Sequence, residues 1–228
     1  MADVFGEKIR WQKTEIDGKF VMLRGETFPI VLYWQKQPLR AAWEAEAMDV
    51  LIVVDMQNDF VTGVLGSPEA MEIVPRVAQR IEEGLKRGET VLFTRDTHGA
   101  DYAGTQEGRK LPVAHCIKGS EGWEIIPELR PYAGHPIDKP TFGSRYLGAL
   151  LLAQDEDLRR QGKTGVEKVT FLGVCTDICV ISNALLVKAF LPEAEIAVEA
   201  DCCAGVTPES HRTALEAMKA CQITVEHE

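Results

Sequence analysis

Nothing in the 228-residue sequence approaches the uninterrupted apolar run of about 18 to 20 residues that spans a bilayer. The first ten residues, MADVFGEKIR, lack the basic-then-apolar order of a secretory leader. Positive charge is also scarce: 25 lysines and arginines against 35 aspartates and glutamates leave a formal net charge of −10. No basic face for a nucleic-acid backbone or an anionic membrane is therefore expected. Without an export signal, a reducing cytosol is the default compartment. The six cysteines (Cys116, Cys175, Cys179, Cys202, Cys203 and Cys221) then read as free thiols rather than a disulfide framework. There is no internal repeat and no low-complexity tract. What is present is an ordinary globular composition, 45% hydrophobic and 26% charged, on a chain long enough to bury a core without staples.

From residue 48 onward, short apolar runs alternate with helical patterns. The runs are VLIVVD (50–55), TVLFTRD (90–96), a weaker PIDKP (136–140), KVTFLGV (168–174), EIAVEAD (195–201) and ITVEH (223–227). Their Val, Ile, Leu and Phe content, with little polar interruption, suits strands buried on both faces of a parallel sheet. Pro75 reads as a first helical residue, Val77, Ile81 and Leu85 repeat every four positions, and Gly88 reads as a helix stop. Thr207-Pro208 reads as a cap and first-turn proline opening a helix that carries Leu215 and Met218 on one face. The segment from Ile178 to Phe190 is apolar almost all round and predicts a central buried helix. Six strand–helix alternations predict an α/β fold: a three-layer α/β/α domain around a doubly wound, mostly parallel six-stranded sheet. Reactive groups in such folds gather beyond the carboxyl ends of the strands.

Residues 1–47 have a different texture and read as an N-terminal extension to a domain at 48–228. They hold Trp11, Trp34 and Trp43, a hairpin signal at Asp17-Gly18, a strand-like FPIVLYW (28–34) and a helix-favouring PLRAAWEAEA (38–47). An accessory hairpin, an oligomerisation arm, and upstream sequence preceding a start at Met48 all fit this segment. No chemistry is visible in it.

Three polar residues stand at strand ends: Asp55 in VVDMQNDF, Lys139 in IDKPTFGS, and Cys179 in GVCTDICV, within the first turn of the apolar helix. Each alone has a plain structural reading as a turn residue, a solvated lysine or a core thiol. Parallel strands, however, put all three on one edge of the sheet. There a helix N-terminus and the Lys139 ammonium are expected to lower the thiol pKa. Asp55 can then take the thiol proton and return it to a leaving amine. Backbone N–H groups from Cys175 to Cys179 are placed to hold an oxyanion. Asp96 and His98, two apart at the end of a strand, share one side of an extended chain, and their donors suit Zn²⁺, Mn²⁺ or Fe²⁺.

In this order and spacing, DMQNDF, TRDTH, HCIKG, KPTFGS, GVCTDICV and DCCAGVTPE with a later histidine resemble the nicotinamidase and isochorismatase-like cysteine hydrolases. The resemblance covers about residues 49–227. It implies a catalytic triad at Asp55, Lys139 and Cys179, and a cis peptide at Val174–Cys175 beside the oxyanion hole. It also implies a metal at Asp96, His98 and His115, with Glu107 as an additional acidic ligand. Phe60 and Phe142 would line the pocket, and His211 would be structural. The metal would be zinc, with manganese or iron as alternatives, and would orient the substrate through a ring nitrogen or a bound water. The expected substrate is a small amide, nicotinamide or a relative, cleaved through a thioester. Carbamoyl or ureido compounds, or a non-catalytic binding module on the same fold, are the alternatives. A homo-oligomer is expected by the same resemblance. One departure concerns specificity. Where many nicotinamidases carry an aromatic residue just before the third metal ligand, this chain has Leu111, Pro112, Val113 and Ala114.

Overall fold

The computed structural model describes residues 47–228 and, before them, the backbone of residues 11–16, 19–24 and 32–34. The chain divides into two compact units, Met1–Glu44 and Ala45–Glu228. In the first, β1 (Trp11–Ile16), β2 (Lys19–Arg24) and β3 (Leu32–Trp34) form an antiparallel sheet in that order. Ile16 pairs with Lys19 across the Asp17-Gly18 position, and β3 occupies the end of the strand-like stretch at 28–34. Apart from Ala47, the helix expected over 38–47 lies outside the described residues.

The second unit is built on a six-stranded sheet in the order β6-β5-β4-β7-β8-β9. Its strands are β4 (Ala47–Val54), β5 (Thr90–Asp96), β6 (Ile137–Lys139), β7 (Gly165–Val174), β8 (Glu195–Ala204) and β9 (Thr224–Glu226). Every pairing is parallel. The helices are α1 (Asn58–Val61), α2 (Pro68–Arg87), α3 (Gln106–Lys110), α4 (Arg145–Arg160), α5 (Ile181–Phe190) and α6 (Pro208–Ala220). The chain moves leftward from β4 to β5 and β6, then crosses back to β7 and continues rightward. Right-handed crossovers therefore put α2 on one face and α4, α5 and α6 on the other. The reversal falls between the two neighbours of β4, where a crevice opens at the carboxyl ends. Leu51 through Val54 are fully buried, as a central strand requires. Gly173 is obligatory beside it: φ is 112°, and a Cβ would stand 2.2 Å from the Val54 carbonyl oxygen.

Two helices differ from expectation. Helix α2 begins at Pro68 rather than Pro75, because Ser67 accepts a hydrogen bond from the Ala70 N–H and Pro68 needs no donor in the first turn. Pro75 lies inside the helix, Gly88 closes it with φ 83°, and Leu85 is exposed. The buried stripe is Ala70, Ile73, Val77, Ile81 and Gly84. The segment after Cys175 opens with a π-helical turn, Thr176–Val180, before α5. Helix α5 is not central: it lies in the outer layer beside α4 and α6, buries Asn183, Ala184 and Val187, and exposes Leu185. Thr207 and Ser210 form a capping box at the start of α6, as the Thr-Pro signal predicts.

On the α2 face, Arg80 is held by Glu89 at 2.9 Å and by Glu199, with the three side chains only 12%, 12% and 5% exposed. Removing the cation strands the Glu199 carboxylate and leaves Glu89 with Arg87 alone, at 2.9 Å. Arg80→Ala is therefore expected to lower unfolding free energy by about 2–3 kcal/mol in urea titrations without altering the far ends of β4 and β7.

Candidate active site

Asp55 follows β4, Lys139 ends β6, and Cys179 sits in the π turn after β7. Lys139 Nζ lies 2.6 Å from Asp55 Oδ2, donates to Cys179 Sγ at 3.3 Å, and stands 3.4 Å from Asp96 Oδ1. The three residues expected to form a triad thus converge on one ammonium. Asp55 and Lys139 are fully buried, and Cys179 is 5% exposed. The Asp55 backbone takes a left-handed φ of 50°, sparsely populated for a non-glycine residue, which turns the chain sharply as it leaves β4. The Val174–Cys175 peptide is cis.

The charges in this cluster set one another. Burial raises the Asp55 pKa, and Lys139 opposes it only in part. Burial would strip the proton from Lys139, but Asp55, Cys179 and Asp96 more than offset it, so the side chain stays an ammonium. The Cys179 thiol is pushed well above its ordinary range, by burial first and by the Asp55 charge second, against Lys139. This corrects the expectation of an acidified thiol. The lysine contribution is outweighed by desolvation and by the Asp55 carboxylate at the same site. The thiol therefore rests protonated beside the Asp55 carboxyl group.

Asp96, His98, Glu107 and His115 bring four ligand atoms within 4.8 Å of one another. His98 Nε2 is 2.9 Å from Asp96 Oδ2 and 3.6 Å from Glu107 Oε1. His115 Nε2 is 3.6 Å from Asp96 Oδ2 and 3.9 Å from Glu107 Oε1. For Asp96, burial favours the neutral acid, but the neighbouring His115 and His98 imidazoles and the Lys139 charge hold it well below the usual carboxylate range. His115 Nδ1 donates to the Val113 carbonyl at 2.8 Å, which leaves the Nε2 lone pair facing the cluster. Two imidazoles, two carboxylates and a carbonyl-fixed tautomer fit a divalent transition metal. Phe60 tilts against His115 with ring centroids 5.5 Å apart. Phe142 lies in the loop after Lys139 and is 45% exposed.

Several supporting residues carry no obvious mark in the sequence. Buried Thr94 donates its hydroxyl to Asp55 Oδ1 at 2.7 Å. Gln57 Nε2 donates to the carbonyls of Asp96 and Trp123 at 2.9 Å each, and its Oε1 accepts from the Asp96 N–H at 2.7 Å. Asn58 Nδ2 donates to the Glu121 carbonyl at 2.7 Å, and Asp59 Oδ2 accepts from the Cys116 N–H at 2.8 Å. Fully buried Asn183 donates to the carbonyls of Cys179 and Phe142 and accepts from the Ser144 N–H, tying the turn that carries Cys179 to the loop after Lys139. Tyr102 packs edgewise on both His98 and His115, with centroids at 4.7 and 5.1 Å, and its hydroxyl donates to the Leu111 carbonyl. A hydroxyl and amides inside apolar or motif-bound stretches were the available signal for Thr94, Gln57 and Asn183. Tyr102 gave none. His211 Nδ1 lies 2.8 Å from Thr176 Oγ1, on the π turn. All six cysteines are free: Cys116, Cys179, Cys202 and Cys203 are buried, and burial pushes Cys175 and Cys202 each up to about 12.

Comparison with known proteins agrees with this layout. A family model described as the isochorismatase domain matches residues 49–228. A nicotinamidase of Schizosaccharomyces pombe is 28% identical over 204 residues, spanning 77% of this chain and 91% of that one. The crystal structure of a pyrazinamidase of Pyrococcus horikoshii in complex with zinc superposes with a TM-score of 0.62 at 28% identity, covering 78% of this chain and 97% of that one. An N-carbamoylsarcosine amidase from Thermoplasma acidophilum gives a TM-score of 0.60 at 30% identity, covering 78% and 95%.

Proposed function

The chain belongs to the isochorismatase domain family, and on that premise we propose that it is an amidohydrolase that releases ammonia from a small carboxamide through a Cys179 thioester. The observation that carries this reading is the pair of Lys139 contacts, 2.6 Å to Asp55 and 3.3 Å to Cys179, which gather base, cation and sulfur in one place. Asp55, its pKa raised by burial, accepts the thiol proton as sulfur attacks the amide carbon. Backbone N–H groups of the Cys175–Cys179 turn hold the tetrahedral oxyanion. The carbon–nitrogen bond then breaks, ammonia leaves with the proton from Asp55, and an acyl thioester remains. Asp55 next draws a proton from water, hydroxide adds to the thioester, and the carboxylic acid departs as Cys179 is reprotonated. Lys139 remains an ammonium throughout, so Asp55 is poised beside a fixed positive charge at each step.

Asp96, His98, His115 and Glu107 would hold the divalent ion, with zinc preferred and manganese or iron as alternatives. When bound, it supplies an attachment point for a ring nitrogen or an ordered water and so orients the amide. Chelation is accordingly expected to lower ammonia release about a hundredfold, with recovery on adding zinc or manganese, as read in a coupled ammonia assay. Unchanged turnover at full chelation would remove the metal from the reading.

Nicotinamide is the first substrate to test. A second reading, an N-carbamoyl or ureido substrate, is favoured by the aliphatic Leu111–Ala114 stretch before His115, which offers no ring to stack on a pyridine. The similarity to a carbamoylsarcosine amidase points the same way. A panel holding nicotinamide, pyrazinamide and carbamoyl amino acids decides between them by kcat/KM.

A further inference from the structure

The run Val91-Leu92-Phe93-Thr94 enters the sheet between β4 and β6, and its one hydroxyl is fully buried. A buried hydroxyl is unfavourable unless it is hydrogen-bonded. The Thr94 hydroxyl has a single proton, and it goes to Asp55 Oδ1 at 2.7 Å. Thr94 lies two residues before Asp96 on β5 and so faces the same side, while Arg95 turns away to Asp138 and Glu124. Its carbonyl also receives the Asp55 N–H at 3.3 Å, so one residue grips both the backbone and the carboxylate of Asp55. β-Branching keeps χ1 stiff, so the direction of this donor is set by the strand itself.

The carboxylate is thereby divided. Oδ1 receives Thr94 and Oδ2 faces Lys139, and with both ends held the plane of the carboxylate is fixed. A base oriented only by the ammonium would retain rotation about its own axis and swap its oxygens. A proton acceptor must present a lone pair to the donor at hydrogen-bond range, so that freedom slows the transfer. We propose that Thr94 is the positioning residue of the base: its hydroxyl holds the Asp55 carboxylate in the orientation that receives the Cys179 proton. This rests on the reading of Asp55 and Cys179 as base and nucleophile. It adds a fourth member, on a different strand, that acts on Asp55 and touches no substrate.

The test compares Thr94→Val, which keeps the shape and deletes the hydroxyl, with Thr94→Ser, which keeps the hydroxyl and deletes the methyl. Thr94→Ala deletes the hydroxyl without adding a second methyl, should valine not be accommodated. Two readouts are taken. One is kcat and KM for ammonia release from whichever amide the wild type turns over. The other is the rate of Cys179 alkylation by iodoacetamide, followed on the Cys179 peptide by mass spectrometry, with and without Asp55→Asn. Thr94→Val is expected to lower kcat by about 10- to 100-fold, part of what a general base contributes, with KM within about twofold. Thr94→Ser is expected to stay within about threefold of wild type. Alkylation is expected to slow about tenfold in Thr94→Val, and less than about twofold when the same change is made on Asp55→Asn, since the hydroxyl then has no base to orient. Equal slowing in both backgrounds, or serine as impaired as valine, would overturn the proposal and make Thr94 a packing residue. If the wild type releases no ammonia from any amide while the alkylation coupling persists, the amide reading fails and Thr94 stands. If ammonia is released and the coupling is absent, the reverse holds.

Discussion

Cys179→Ala is expected to eliminate ammonia release, with kcat falling by at least about four orders of magnitude. The loss is this large because no other sulfur can take over. Cys175 is one turn away, half-buried, and its thiol is pushed up to about 12 by burial. Cys116 is sealed in the core, and its pKa is driven far up by burial and by the Asp96 charge. The fold should survive, since an alanine at a site 5% exposed leaves a cavity of one sulfur atom, costing about 1–2 kcal/mol. Circular dichroism checks the fold and an ammonia assay checks the chemistry on the same sample. Turnover within about tenfold of wild type, in folded protein, would refute the nucleophile assignment.

The second large effect belongs to Lys139. Its ammonium stands between the Asp55 and Asp96 carboxylates and beside Cys179, with no exposure to solvent. Lys139→Met keeps most of the volume and deletes the charge, so Asp55 is left buried with only the Thr94 hydroxyl, while Asp96 keeps His98 and His115. The expected cost is about 3–5 kcal/mol in unfolding free energy, together with at least about a thousandfold in kcat. The folded pKa of Lys139 is raised, so its stabilisation is fully present below the unfolded lysine value and is lost only as pH rises through the folded one. No ordinary assay pH therefore mimics the variant. Urea titration at neutral pH and again at mildly acidic pH checks this: the deficit should shrink in acid, where Asp55, its pKa raised, takes up a proton and loses its uncompensated charge.

The sheet was legible because its strands are buried on both faces, so apolar runs mark them directly. Even the short β6 was visible, as PIDKP, since its lysine ends a strand rather than a loop. Helix starts were less legible. Ser67-Pro68 and Pro75 both offer a first-turn proline, and the Ser67 cap on the Ala70 N–H together with the burial of Ala70 and Ile73 decides for the first. The apolar Ile178–Phe190 segment suggested deep burial, but helix α5 lies in an outer layer and leaves Leu185 exposed. At the site, residue types at strand ends identified Asp55, Lys139, Cys179 and the Asp96–His98 pair. The state of the thiol was not legible, because proximity to a cation and a helix terminus can be inferred from order along the chain, whereas desolvation cannot. The residues that hold the site in place were silent for a different reason. Gln57, Asn58 and Asn183 bond to main-chain atoms about 40 to 66 positions away or at a turn, and a carbonyl has no letter in the sequence.

Anchoring through main-chain atoms shapes how such a catalyst can diversify. The segment Cys116–Ile126 is gripped by the stretch Met56–Asp59 through the Cys116 and Ile126 N–H groups and the carbonyls of Glu121, Gly122, Trp123 and Glu124. Every one of those atoms belongs to the main chain, and only proline lacks the N–H. The socket therefore reads chain path at those six atoms. The segment's exposed side chains, Lys118 and Glu121, can be rewritten, while Cys116, Trp123, Ile125 and Ile126 stay buried against the fold. Two glycines are fixed as well: a methyl at Gly122 would stand 2.2 Å from the Asp59 carboxylate, and Gly119 takes a left-handed φ of 83°.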